Sequence, residues 1–141
     1  MNNNSHDKDL QSINDQMTWF AQQFVDGGPD FIRTHVPPHF VVGTPSGAST
    51  VEREHFIEAA RKRADMVTGM DLPVPHLERT ATKELGPAYC LGTAHWSLPL
   101  PSGETLNLVE DFLIDRTGDA WTCQAYLLRA NLPGMLSAMA S

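Results

Sequence analysis

Four strand-like runs follow one another in the second half of the chain, with no helical pattern between them. They cover residues 76–85, 88–98, 104–115 and 120–129. Turn residues close each of the first three: Gly86 and Pro87, then "PLPSG", then "RTGD". Successive strands joined by short turns pair as hairpins, because a parallel connection needs a crossover of a dozen residues or more. The pattern therefore predicts an antiparallel sheet.

The first half of the chain carries helical patterns. Apolar residues spaced three and four apart predict a first helix, and they are Leu10, Ile13, Met17, Phe20, Ala21 and Phe24. "DGGPD" ends this helix and begins a second, from Asp30 to about Thr34, which the prolines at 37 and 38 cannot continue. A brief strand follows in "HFVVG".

A third helix is predicted from about Thr50 to Val67. Ser49 and Glu52 stand at the spacing of a capping box, in which each side chain bonds a free amide of the first turn. The expected inner face of this helix consists of Phe56, Ile57, Ala60, Ala64 and Val67. The helices and the sheet together predict an α+β domain with its helices on one face of a curved sheet.

Length and composition limit the classes of protein that the chain can represent. With 141 residues, 41% of them hydrophobic, one domain is expected over 9–141, after a disordered tail at 1–8. The formal charge of −7 argues against a nucleic-acid partner. No run approaches the ~18 apolar residues of a membrane helix. The two cysteines, without a CxxC motif, are expected to be reduced core thiols of a cytoplasmic protein.

No cofactor or metal is expected from the motifs. The chain has neither a glycine-rich phosphate loop nor a GxSxG elbow. His35 and His39 are four residues apart, but the two prolines between them prevent a helix, which favours loop histidines in solvent over metal ligands.

The hairpin "HWSLPLPSGETLNLVED" holds the main candidate site. If Ser102 and Gly103 form a two-residue turn, His95 lies directly opposite Glu110, with Cβ atoms ~4.5–5.5 Å apart. Glu110 is then the only charge on an apolar strand face, where burial raises its pKa toward that of a general acid or base near neutrality. Two interpretations stay open: a catalytic pair, and a structural cross-strand pair. A slip of one residue would move His95 to the other face.

Further site residues are aromatic or apolar. Tyr126 is a candidate proton donor, or alternatively an anchor of a dimer surface, and Trp19 is a candidate pocket residue on the first helix. The other residues predicted to line a pocket are Phe56, Leu108, Phe112 and Trp96. Which face of the last strand looks inward is not evident from its pattern.

Two segments carry a resemblance to a known family. "FVVGTPSGASTVEREHFIEAAR" and "FLIDRTGDAWTCQAYLLRANLPGML" resemble the NTF2-like superfamily, in particular its SnoaL-like and DUF4440-like branches. The resemblance covers nearly all of residues 10–136. It implies a cone-shaped, cystatin-like fold in which a strongly curved antiparallel sheet and three helices enclose a pocket.

The resemblance implies a small hydrophobic ligand and a homodimer formed through the sheet. Similar proteins include isomerases, cyclases, dehydratases and epoxide hydrolases, which need no cofactor, as well as domains that only bind or dimerise. In the enzyme hypothesis Glu110 exchanges a proton with the substrate, and His95 orients Glu110 or shares the proton. Tyr126 donates a hydrogen bond to a developing oxyanion. In the binding hypothesis the same residues hold a ligand, and in a third the chain is a dimerisation module.

Overall fold

The structure is a computed structural model that describes residues 3–69 and 74–130, leaving aside the side chains of residues 3–11 and of Val67. Within these ranges there are three helices, α1 (Asn3–Asp26), α2 (Gly28–His35) and α3 (Arg53–Gly69). The six strands are β1 (His39–Thr44), β2 (Gly47–Glu52), β3 (His76–Glu84), β4 (Tyr89–Pro99), β5 (Thr105–Asp115) and β6 (Thr122–Leu128). The α+β class is confirmed. Helix α1 begins inside the segment expected as a tail, and the domain limits of 9–141 stay a prediction.

The six strands form one curved, open sheet in the order β2-β1-β6-β5-β4-β3. Strands β3 to β6 pair as successive antiparallel hairpins, as predicted. The prediction of a purely antiparallel sheet is wrong, however, because β1 pairs parallel to β6, with Val42 beside Tyr126. Strand β2, helix α3 and strands β3 to β5 lie between β1 and β6 along the chain, and this connection is long enough for the two strands to pair in parallel.

Strand β2 replaces the predicted start of α3. Residues expected to form the capping box and the first turn of the helix instead pair antiparallel with β1, Ser49 opposite Val42 and Glu52 opposite His39. Gly47 has φ +135° and supplies the backbone conformation that this tight hairpin needs. The helix then begins at Arg53, whose N–H donates to the carbonyl of Pro38 at 2.8 Å. The local capping signal was thus overridden by pairing along the edge of β1.

The core lies between the helices and one face of the sheet. The described part of the α1 stripe is confirmed: Met17, Phe20, Ala21 and Phe24 are buried and Ile13 is partly buried, while the Leu10 side chain lies outside the described residues. Helix α2 is longer than predicted and carries Pro29 in its first turn, with Phe31 and Ile32 buried. The aromatic rings of Phe20, Phe24 and Phe112 pack edge to face across the layers.

Strict alternation decides which side chains of β4 and β5 face this core. On β4 the inward residues are Cys90, Gly92, Ala94, Trp96 and Leu98, and all are buried. On β6 an irregularity opposite Leu113 and Ile114 breaks the alternation, so that both Cys123 and Tyr126 are buried. Strict two-residue alternation along β6 predicts opposite faces for these two residues, and the irregularity is the reason that this prediction is wrong.

Candidate functional site

The turn between β4 and β5 sets the geometry of the candidate site. It is a three-residue loop closed by Leu100, whose N–H donates to the Glu104 carbonyl at 2.8 Å. Proline at 101 has no N–H and cannot close a two-residue turn. Gly103 sits in the left-handed region with φ +91° and donates to the Leu100 carbonyl at 3.0 Å. The expected two-residue turn is therefore wrong by one residue.

This shift separates the two members of the predicted pair. His95 lies opposite Val109, and Glu110 lies opposite Ala94. Because neighbouring residues of a strand point to opposite faces, Glu110 faces the helices and His95 faces away from them. The structure brings His95 near Asp111 instead, and the cross-strand contact between His95 and Glu110 is absent.

Glu110 borders a cavity of about 510 Å³ between the sheet, α3 and the facing ends of α1 and α2. The volume falls in the range of ~300–1,000 Å³ that small-molecule sites occupy. The wall is mainly apolar. Residues that contribute to it include Phe24, Ile32, Phe56, Ile57, Ala60, Ala64, Trp96, Leu108, Tyr126 and Leu128.

The environment of Glu110 favours its protonated form. The residue is only 7% exposed. Burial raises the pKa of Glu110 from 4.5 to about 7, and the charge of Asp111 acts in the same direction. The positive charge of Arg63 and the indole of Trp96 lower this pKa and offset the rise in part. Near neutral pH the carboxyl group is thus poised to lose or gain a proton.

Two more polar groups lie near this carboxyl group. Arg63 is partly buried on α3 and lines the cavity, and burial lowers the pKa of its guanidinium. Trp96 is 3% exposed, and its Nε1 atom has no hydrogen-bond partner among the described residues. The indole is close enough to act on Glu110 but falls short of hydrogen-bond geometry.

The other predicted site residues fall into two groups. Phe56, Leu108, Trp96 and Tyr126 line the cavity, and Tyr126 also packs on Phe24, Phe56 and Phe112. Phe112 is fully buried in the core behind the cavity wall. Trp19 lies apart from the cavity lining, 47% exposed, with its ring against Phe31 and His35.

Asp111 lies on the opposite face from Glu110, as the strand period predicts, and it too is buried. Arg129 donates to both of its oxygens, Nε to Oδ2 at 2.8 Å and Nη2 to Oδ1 at 2.9 Å, and the Thr93 hydroxyl donates at 2.7 Å. Burial raises the pKa of Asp111, but these hydrogen bonds outweigh burial and bring the pKa below its ordinary value. The two adjacent carboxyl groups are thus shifted in opposite directions.

Arg63 is a charged cavity residue that the sequence interpretation missed. Phe56, Ala60 and Arg63 follow one another at steps of four and three, so helical spacing places the arginine on the predicted apolar face. Arg63 belongs to the basic run 61–63, a pattern typical of a solvated helix face, and the other two members, Arg61 and Lys62, are indeed exposed. The signal available in the sequence was a charged residue at a position where helical spacing predicts an apolar one.

The expectation of two loop histidines in solvent is wrong for His35, which ends α2 and is partly buried. The His35 Nδ1 atom hydrogen-bonds the Trp121 carbonyl at 2.8 Å, and His39 is exposed at the start of β1. Within residues 3–69 and 74–130 there is no cluster of three or more His, Cys, Asp or Glu side chains with metal-binding geometry. None of the helices described is long and apolar enough to cross a membrane.

No protein-family model matches the chain, and no curated protein does. Several solved structures are similar in fold. An NTF2-like protein of unknown function in nutrient uptake from Rhodospirillum rubrum is 12% identical, with 81% of this chain and 97% of that one aligned at a TM-score of 0.57. A domain of unknown function with a cystatin-like fold from Nostoc punctiforme is 13% identical. The alignment covers 86% of this chain and 80% of that one, with a TM-score of 0.59.

An NTF2-like protein from Cytophaga hutchinsonii is 14% identical and covers 92% of this chain and 99% of that one, with a TM-score of 0.54. At such identities the likeness shows the fold alone. The chain has the NTF2-like, or cystatin-like, fold, which confirms the fold that the sequence resemblance implied.

Proposed function

We propose that this protein binds a small, mainly apolar molecule in the cavity and that Glu110 exchanges a proton with it. The reaction would be an isomerisation, cyclisation, dehydration or hydrolysis that needs no cofactor. One observation carries the proposal: a carboxyl group lies in an apolar cavity wall, with its pKa raised to about 7. A proton-transfer group of this kind works best when its pKa is close to the ambient pH.

The residues around Glu110 have assignable roles in such a reaction. As a carboxylate Glu110 accepts a proton from a carbon or a hydroxyl group of the substrate, and as an acid it returns the proton elsewhere on the molecule. Tyr126, on the same cavity wall, donates a hydrogen bond to an oxygen that becomes negative. His95 has no part in this scheme, because it belongs to the other face of the sheet.

The first test is a pH titration of the Glu110 carboxyl carbon by NMR, assigned with Glu110→Gln. We expect a midpoint near 7 that moves when a neutral apolar ligand such as 1-octanol is added. A midpoint near 4.5 would show a solvated carboxylate and end the proposal.

Catalysis is tested separately from binding. The neutral probe 5-nitrobenzisoxazole opens its ring once a base removes its C–H proton, and the phenolate product is coloured. Wild-type protein should accelerate this reaction with a rate that rises through about pH 7, and Glu110→Gln should abolish the acceleration. Asp111→Asn, on the opposite face, is the matched control and should keep it. If ligands bind but Glu110→Gln reacts as fast as the wild type, the protein is a binding module.

A second candidate function is dimerisation through the other face of the sheet. This face carries several apolar side chains that are only partly buried: Val41, Leu91, Val109, Leu113 and Leu127. Covering them in a dimer would gain ~25 cal/mol per Å² of apolar surface. Sedimentation velocity of the wild type should show a dimer that Leu127→Glu converts to a monomer. A wild-type monomer at all concentrations would contradict this function.

A further inference from the structure

The charged side chains of the cavity differ in whether they have partners. Asp26 accepts a hydrogen bond from Gln22, and Arg61 is paired with Glu58 on the exposed side of α3. Arg63 and Glu110 make no ion pair within 4.0 Å, either with each other or with another described residue. Among the described residues that line the cavity, Arg63 is therefore a cation without an ion-pair partner.

A lone guanidinium in such a wall is unfavourable. Burial lowers the pKa of Arg63, which is the direction expected when a cation loses hydration without gaining a counter-ion. Glu110 compensates only when it is ionised, and burial favours its protonated form. A ligand with a negative charge would form an ion pair with Arg63 and compensate its lost hydration.

The second unsatisfied group is the indole N–H of Trp96. A buried donor without an acceptor is unfavourable because it has lost its hydrogen bonds to water, so its presence calls for an explanation. Trp96 lines the cavity, and both it and Arg63 act on the carboxyl group of Glu110. Among the described residues these two donors thus line the same cavity beside Glu110, and neither makes a hydrogen bond or ion pair of good geometry with its carboxyl group. The protonated Glu110 carboxyl group supplies a third.

We infer that the ligand of this cavity carries a carboxylate on an apolar body, and that Arg63 binds the carboxylate with the Trp96 N–H as a second donor. A carboxylate suits this end of the cavity because it accepts several hydrogen bonds and matches the fork of a guanidinium. The apolar body then lies against Phe56, Leu108 and Leu128. This inference rests on the proposed function, since it names the class of molecule that the same cavity takes.

Calorimetric titration with octanoate and with 1-octanol tests the inference, because the two probes share one apolar chain and differ in the head group. At about pH 6 wild-type protein should bind octanoate at least ~10-fold more tightly, the lower end of what charge-assisted hydrogen bonds provide. Arg63→Gln should abolish the preference while 1-octanol binding stays within about twofold. Arg63→Lys, which keeps the charge, should restore part of it. Arg61→Gln, whose parent residue is already paired with Glu58, is the matched control and should keep the preference.

The pH dependence gives a second readout. The charged and titratable groups that act on Glu110 are Arg63 from α3, Asp111 from its own strand and the Cys123 thiol from β6. Of these Arg63 and Asp111 keep their charge near neutrality, and burial raises the pKa of Cys123 and keeps it a neutral thiol. Ionisation of Glu110 should therefore weaken octanoate binding as pH rises from about 6 to about 8.5. Glu110→Gln should bind octanoate with little dependence on pH.

The outcomes separate this inference from the function on which it rests. If 1-octanol binds but octanoate binds no better, or if Arg63→Gln keeps the preference, the carboxylate inference is overturned and the apolar site remains. If neither probe binds the wild type, both the inference and the proposed binding function fail. An octanoate preference that Arg63→Gln removes and Arg61→Gln keeps establishes the inference.

Discussion

Replacing Glu110 with glutamine should remove a pH-dependent loss of stability. In the folded protein the pKa of Glu110 is raised by burial from 4.5 to about 7. Between these two pH values the unfolded chain carries an ionised glutamate, whereas the folded protein keeps the group protonated. The folded state then binds more protons than the unfolded state, so the free energy of unfolding falls as pH rises through this window. Glutamine does not titrate and should show no such fall.

The size of the effect follows from the two pKa values. Each pH unit between them is worth about 1.4 kcal/mol, so the wild type should lose about 3 kcal/mol from this group between pH 4.5 and pH 8. Other groups also titrate over this range, but they are common to both proteins. The difference in unfolding free energy between Glu110→Gln and wild type isolates the contribution of Glu110. This difference should grow by about 3 kcal/mol, in favour of the variant.

Urea unfolding followed by tryptophan fluorescence at a series of pH values measures this difference. Asp111→Asn is the matched control. Burial raises the pKa of Asp111, but hydrogen bonds from Arg129 and Thr93 outweigh it, and the net pKa is lowered. A lowered pKa stabilises the protein above its unfolded value, and that stability is lost as pH falls through the folded value. Asp111→Asn should therefore be less stable than wild type at neutral pH and approach it in acid. Parallel pH profiles of Glu110→Gln and wild type between pH 4.5 and 8 would refute the reasoning.

Two further predictions concern the core. A Cβ at Gly92 would overlap the side chain of Met17, so Gly92→Ala should destabilise the protein by about 1–3 kcal/mol through overpacking. Gly118→Ala is the control and should be close to neutral, because the nearest atom to its Cβ would be 3.7 Å away. Urea unfolding measures both variants, and equal stabilities would contradict the packing argument. Burial raises the pKa of both Cys90 and Cys123, so neither thiol should react with a disulfide reagent at about pH 8 until urea is added. Rapid reaction of the native protein would contradict this prediction and show that the core opens readily.

Local sequence patterns were sufficient to predict most of the helices and strands. The apolar stripe of α1 and the four strand runs from residue 76 onward needed only helical or two-residue periodicity and turn residues, and the structure contains them. The same periodicity singled out Glu110 as a charge on an apolar strand face. That inference depended only on neighbours along one strand, which every pairing of the hairpin preserves.

These local patterns could not predict which distant segments pair in the sheet. The capping signal at Ser49 and Glu52 was real but competed with the open edge of β1, and only the assembled sheet shows that pairing prevails. The parallel contact of β1 with β6 joins residues more than eighty positions apart, for which no local signal exists. The sequence by itself determined that an acidic group would enter an apolar layer.

Only the tertiary structure decided which groups that carboxylate meets. A hairpin that closes at Leu100, because Pro101 has no N–H, moves His95 to the far face. The packing of α3 over the sheet brings Arg63 toward Glu110 in its place. The physical reason is that strand period is a local property, whereas register depends on one turn and helix placement depends on the whole core.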